Sequence, residues 1–436
     1  MRRSLRALVG VLLLGLSACS AGAATGARPL TVLASWEGAE QQAFEAVLAE
    51  FERESGIEVD YRGTRSVSQV LRSDVQKGRP PDVAVLPNPG ELARYVDSGD
   101  LRNIDGVLGE EPGEQWLPLQ RLGTPSYYTV VVKADLKSLI WYRPGTLPGP
   151  PPRTWADLVA LSGDLTARGR TPWCLGMESQ STSGWPGTDW IEDILLRRSG
   201  PEVYQRFAAG ELPWTSTQVR QAWEDWGQLV ARPGAARGGT NGALLLGFAD
   251  AAKPMFTTPP GCALDHFASY RISGYQQYEL PGGAKPTVAD FDFFPFPVVD
   301  ATAEPASQPA GVSADLAGMF VESAEAKALM RYLASERGQA VWPSRQTSAT
   351  FSINRNLLPQ GVYRDPLSVR VAERLTSGPW CFDASDMMPA TMSDAFHRAV
   401  LDYLGNPGGL ERVLEALERV RAGIPADERL NLPCGR

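Results

Sequence analysis

Residues Gly184 to Trp190 read GWPGTDW. Two indole rings and one carboxylate sit on a stretch whose glycines and proline favour a turn. The spacing fits neither one face of a helix nor alternation along a strand. Flat rings offer apolar planes, and a carboxylate accepts strong, charge-assisted hydrogen bonds. Trp185, Asp189 and Trp190 are therefore candidate binding residues. Similar types follow strand-like runs elsewhere: Trp36 and Glu37 after LTVLAS, Arg65 after IEVDY, and Asn88 after DVAVLP. In open α/β sheets, ligands sit beyond the carboxyl ends of strands. Glu40, Asp135, Asp315 and Asp383 complete the candidate set.

Seven of these have a structural alternative. Asp189 stands three before Glu192 and could cap a helix beginning WIEDILLRRSG, which would make Trp190 first-turn core. Glu40 could be a first-turn acid favoured by the helix dipole. Arg65 could be exposed, Asp135 a hinge hydrogen bond, and Asp315 and Asp383 turn or cap residues.

Reactive chemistry is sparse. The chain has two histidines, His266 and His397, neither beside a nucleophile motif. HExxH, the P-loop and the GxSxG elbow are all missing from the sequence, so zincin, nucleotide-hydrolase and α/β-hydrolase readings lose their support. No enzyme activity, cofactor or metal is expected. Acids are plentiful, so a two-carboxylate glycosidase remains the rival reading.

The N-terminus reads as an export signal: Arg2, Arg3 and Arg6 precede an apolar run of about ten residues, Ala7 to Leu16, too short to span a bilayer. Leu16-Ser17-Ala18-Cys19 resembles a bacterial lipobox, which would leave lipidated Cys19 at the mature end. The alternative is a plain signal peptide cut after Cys19. Residues 1–18 are assigned to the signal and 19–28 to a tether. Cys174, Cys262, Cys381 and Cys434 lie too far apart for a zinc-type CxxC. An even number in an exported chain suggests two disulfides, with three connectivities open. The pairing favoured is Cys174 with Cys262 and Cys381 with Cys434.

The remaining chain of about 400 residues is long enough for two domains. Without the three n-region arginines it carries 39 basic and 50 acidic side chains. That charge disfavours nucleic acid as a partner. Strand, helix, strand, helix, strand, helix alternate over the first hundred residues, which spells an α/β sheet with helical crossovers. EQQAFEAVLAEFERESG places Phe44, Val47, Leu48 and Phe51 on one helical face, stopped by Gly56. After the proline-rich PGTLPGPPPR the pattern is mostly helical. Val219, Trp223, Trp226 and Val230 share a stripe and read as core. FDFFPFPVVD reads as an extended segment that its prolines keep from a central strand.

The ordered segments ASWEGAEQQAFEAVLAEFERESGIEVDY, GRPPDVAVLPNPGELARYVDSGDLRNID, KADLKSLIWYRPG, RTWADLVAL, TPWCLGMES, GWPGTDWIEDILLRRSGPEVY, PPGCALDHFASY and DASDMMPATMSDAFHRAVLDYL resemble the extracellular solute-binding protein family 1. These are the carbohydrate-binding lipoproteins of ABC importers. Within the family the chain looks closest to the alpha-glucoside, maltose-like and oligosaccharide binders. It departs in GVSADLAGMF, which lacks a glycine run before Asp315, and in SYYTVVVKADLKS, which lacks a glycine-proline-tyrosine approach.

The resemblance implies an α/β, two-lobed periplasmic-binding-protein-like fold (class II). Each lobe is a mixed sheet flanked by helices, joined by crossing hinge segments near 134–140, 291–297 and 342–351. Residues 29–134 plus 292–346 are assigned to lobe I, and 135–291 plus 347–436 to lobe II. The implied function is capture of a sugar between the lobes and delivery to the permease subunits of an ABC transporter. The protein would be a monomer held outside the cell membrane by lipid on Cys19. Such a site needs rings for the C–H faces of a sugar and carboxylates, amides or arginines for its hydroxyls. The alternative cargo is a glycerophosphodiester, polyamine or peptide. A phosphate-bearing ligand would call on Arg65 and Arg345.

Overall fold

The computed structural model describes residues 28–109, 114–299, 308–345 and 349–435. The signal segment, the tether residues 19–27 and Cys19 lie outside the described residues.

The first hundred residues alternate as their periodicity predicts. β1 (Leu30–Ala34), α1 (Gly38–Ser55), β2 (Val59–Gly63), α2 (Val67–Gln76), β3 (Val83–Leu86) and α3 (Pro89–Asp97) follow in order. α1 buries Phe44, Val47, Leu48 and Phe51, and stops at Gly56 in the left-handed region, φ 71°. That conformation suits glycine. β1 lies between β2 and β3, parallel to both. After α4 (Leu117–Arg121) comes β4 (Thr129–Leu136). β8 (Ala310–Met319) inserts antiparallel between β3 and β4, giving the order β2-β1-β3-β8-β4. β9 (Trp380–Phe382) pairs parallel with the start of β8.

A second sheet has β5 (Leu139–Tyr142) at its centre, antiparallel to β6 (Leu264–His266) and β7 (Asp292–Pro295). Parallel bridges join Trp173 to Leu264 and Ala236. Asp292–Pro295, expected to open the return to lobe I, instead forms the edge of this second sheet. The return comes at β8. An edge position suits the segment because proline cannot donate to a ladder.

Helices α5 (Trp155–Ala167), α6 (Trp185–Ala208), α7 (Thr217–Val230), α8 (Gly239–Leu245) and α9 (Arg271–Gln276) belong to the middle of the chain. α10 (Ala324–Ala334), α11 (Glu336–Val341), α12 (Pro366–Ser377), α13 (Ala384–Met387), α14 (Ala390–Gly405) and α15 (Leu410–Gly423) complete the order. Val219, Trp223, Trp226 and Val230 are fully buried along α7, as their spacing predicts. Disulfides join Cys174 to Cys262 and Cys381 to Cys434.

The crossings sit side by side. β4 in the first sheet leads to β5 in the second through Lys137 and Ser138. The Lys137 amide donates to the Gly311 carbonyl at 2.8 Å, and the Ala134 amide to the Phe351 carbonyl at 2.8 Å. Ser138 Oγ accepts from the Gly311 amide at 2.6 Å and donates to Asp193. Among the described residues, no helix is long and apolar enough to cross a membrane.

Candidate functional site

Between the sheets lies a cleft of about 530 Å³, within the usual range for small-molecule sites. Strand ends supply its floor. Lys133, Asp135 and Lys137 alternate along the first crossing, so all three face one side. Lys133 stands opposite Asp315 across the β4–β8 ladder.

Lys133 Nζ is 3.3 Å from Asp135, 3.4 Å from Asp315 and 3.4 Å from Glu40. Burial alone would lower its pKa, but the three carboxylates outweigh that and raise it, so it stays charged. Burial raises Asp135 and Asp315 despite Lys133. Glu40 is also penalised by burial, yet Lys133 and Arg65 together hold it below its ordinary value. Arg65 reaches Glu40 at 2.8 Å. Asp135 accepts from Ser269 Oγ at 2.8 Å, and Ser35 Oγ reaches Asp315 at 3.4 Å.

Lys137 is the centre of a second cluster, bonded to Asp189 at 2.9 Å and to Asp383. Asp383 also accepts from Ser385 Oγ and the Asp386 amide, so its pKa stays low against the cost of burial. Asp189 has Lys137 alone among these donors. Burial, aided by repulsion from Asp383, pushes it up to about 7. Burial raises Asp386 too; it accepts from Asn88 Nδ2 at 2.9 Å across the cleft.

Nine of the eleven candidates line the cleft: Trp36, Glu37, Glu40, Arg65, Asn88, Asp135, Trp185, Asp189 and Asp315. Trp190 and Asp383 stand behind the wall. Trp190 is 2% exposed and packs on Trp173 at 4.6 Å and His266 at 4.3 Å. Asp383 caps α13 through the Asp386 amide. Trp36 borders the cleft but is only 1% exposed, wedged against Phe44 and Trp342, so its faces are occupied. Asp189 is not a cap. α6 begins at Trp185, after Gly184 at φ 106°, which places Asp189 inside the helix. Trp185 leans on Phe248 and Phe267 and donates to Ser179 Oγ at 3.1 Å. Arg345 is not part of the lining.

Sequence reasoning passed over Lys133, Lys137, Tyr270, Asp386 and the α14 face bearing Ser393, Asp394 and His397, all of which line the cleft. The signals were present. KADLK alternates charges with period two, and SDAFH has helical spacing. Burial depresses His397 to about 4, so it is neutral near pH 7.

Residues 35–340 match the model of the bacterial extracellular solute-binding proteins. The chain belongs to that family. It is 34% identical over 403 residues to the osmoprotective compounds-binding protein GgtB of Synechocystis sp., covering 90% of this chain and 92% of that one. It is 30% identical over 395 residues to the alpha-glucosides-binding periplasmic protein AglE of Rhizobium meliloti, covering 86% and 83%. The fold is shared with the bacterial solute receptor AcbH, whose described preference is galactopyranose (TM-score 0.74, 18% identity, 90% of this chain and 97% of that chain). It is also shared with maltose-bound MalE3 of T. maritima (TM-score 0.69, 15% identity, 90% and 99%). The two-lobed, mixed α/β architecture expected from the resemblance is therefore present. Among the described residues, no group of three or more His, Cys, Asp or Glu could hold a metal ion.

Proposed function

We propose that this chain captures a sugar, an alpha-glucoside or oligosaccharide, between its lobes and presents it to the permease of an ABC importer. The supporting observation is the cleft wall, which Trp185, Phe248 and Tyr270 line together with Glu40, Asp135, Asp189 and Asp315. A sugar ring has C–H faces that favour aromatic planes and hydroxyl edges that donate to fixed carboxylates. The name of one relative, an alpha-glucosides-binding protein, agrees with a sugar cargo. Closure around the sugar completes contacts that each lobe alone lacks, so ligand shifts the hinge equilibrium. No bond in the sugar changes. Lipid on Cys19 would hold the receptor, as a monomer, outside the membrane beside the permease. The residues placed on the wall, Glu37, Arg65 and Asn88 among them, are proposed contacts.

The test is a thermal-shift panel of maltose, trehalose and sucrose, followed by chromatography of each sugar. A raised Tm with intact sugar supports the reading. Ligand at 100 times its Kd adds about 2.7 kcal/mol. Hydrolysis products would instead support the glycosidase reading, which the raised Asp189 would then serve as an acid.

A further inference from the structure

Charge pairing in the cleft narrows the cargo further. The lining carries nine carboxylates and five cations. Each cation already faces an acid. Lys133 and Lys137 hold the clusters described above, and Arg65 holds Glu40. Arg72 lies 3.7 Å from Glu91. Arg271 bonds Asp265 at 2.8 Å and the Phe248 carbonyl at 2.8 Å. Glu37, Asp250 and Asp394, which also line the cleft, face no cation at ion-pair distance among the described residues. A ligand anion entering here finds each cation already facing an acid, and meets unpaired carboxylates at the exposed rim, whose repulsion is strong at low salt and screened at high salt. To bind, it would have to break one of these pairs and strand the displaced carboxylate, at greatest cost at buried Lys133, Lys137 and Arg271.

We propose that the cleft is built to exclude anionic solutes, so that its cargo is an uncharged sugar and the phosphorylated or carboxylated counterpart is rejected. This rests on the carbohydrate reading. It adds a repulsive element that separates ligands of nearly equal shape, and it disfavours the glycerophosphodiester alternative.

The experiment titrates the full chain with maltose, trehalose, sucrose and glucose, then with trehalose 6-phosphate, glucose 6-phosphate and glucuronate. It is run in 20 mM and in 1 M NaCl, and repeated with the variant Glu37→Gln/Asp250→Asn/Asp394→Asn. The expected result is at least 100-fold weaker binding of each anion than of its neutral parent at low salt. The ratio should shrink several-fold in 1 M NaCl, where the Debye length is about 3 Å, and again in the triple variant. A merely steric exclusion would not respond to salt or to charge removal, so an unchanged ratio overturns the proposal. Equal or tighter binding of an anion also overturns it. If the wild-type chain binds none of the neutral sugars, the carbohydrate reading itself falls, a result visible without any variant.

Discussion

Trp185 and Trp190 lie five residues apart on one helix, yet their surroundings assign them opposite tasks. Trp185 borders the cleft with its indole nitrogen tied to Ser179. Trp190 is sealed behind it against Trp173 and His266. Trp185→Ala should weaken sugar binding at least tenfold, about 1.4 kcal/mol, with a smaller loss of unliganded Tm than Trp190→Ala because Trp185 is only half-buried. Trp190→Ala should cost about 3–5 kcal/mol of stability, and the fraction that stays folded should keep its affinity. Calorimetric titration and thermal melts on both variants separate the two roles. Asp189 adds a pH signature. Burial raises its pKa to about 7, so it is mostly ionised at pH 8 and mostly protonated at pH 6. Hydroxyls donate to the ionised form, so affinity should fall as pH drops through 7. In Asp189→Asn that inflection should vanish. Stability runs the other way. A carboxyl whose folded pKa exceeds its unfolded value near 4 holds its proton more tightly when folded. Its contribution is therefore present at low pH and is lost as pH rises through about 7.

The sequence pattern made the alternation of β1 to α3 legible because each helix carries one apolar stripe and each strand a short buried run. It also placed Trp36, Glu37 and Asn88 at strand ends, where topology alone puts a cleft. The start of α6 was harder. A capping-box pattern at Asp189 competes with Gly184-Trp185-Pro186, and the glycine wins because an adjoining chain fixes it. A Cβ on Gly184 would lie 2.1 Å from the His397 carbonyl oxygen, and its φ is +106°. That contact spans more than 200 residues, so no local pattern reports it. Lys133 and Lys137 were missed for a related reason. Alternating charge on a strand resembles a solvated face until β8 brings Asp315 opposite Lys133. Gly184→Ala should therefore cost stability, roughly 1–3 kcal/mol from the backbone conformation alone. It should also reduce affinity, because the residue sets where α6 begins and so where Trp185 stands. Melting curves and titrations of that variant, beside an alanine at exposed Gly405 as control, measure both effects.

The closure proposed for the whole molecule would draw on contacts on both sides of the cleft. Asn88, ahead of α3, donates to Asp386 on α13, which packs against α3, α6 and α14. Ser66 meets Ser181 at 3.3 Å across the same gap. At Gly90 the backbones come so close that a Cβ would lie 2.1 Å from the Met387 carbonyl oxygen. We propose that these contacts form with closure, so that they add to the stability of the closed arrangement whether or not a sugar is present. Apparent affinity scales with the fraction of molecules competent to close. Asn88→Ala removes one hydrogen bond, about 0.5–1.5 kcal/mol, and should weaken all sugars by up to about tenfold. Gly90→Ala inserts a methyl group where two backbones touch, and should weaken them further. A wall residue that reads one hydroxyl would change affinity for some sugars and spare others, whereas a shift in the hinge equilibrium lowers every affinity by the same factor. Small-angle scattering supplies the second readout. Unliganded Gly90→Ala should show a larger radius of gyration than wild type together with a lower Tm, because Gly90 and Met387 are both buried where α3 packs on α13. Wild-type scattering and affinity in that variant would mean that α3 and α13 do not govern closure.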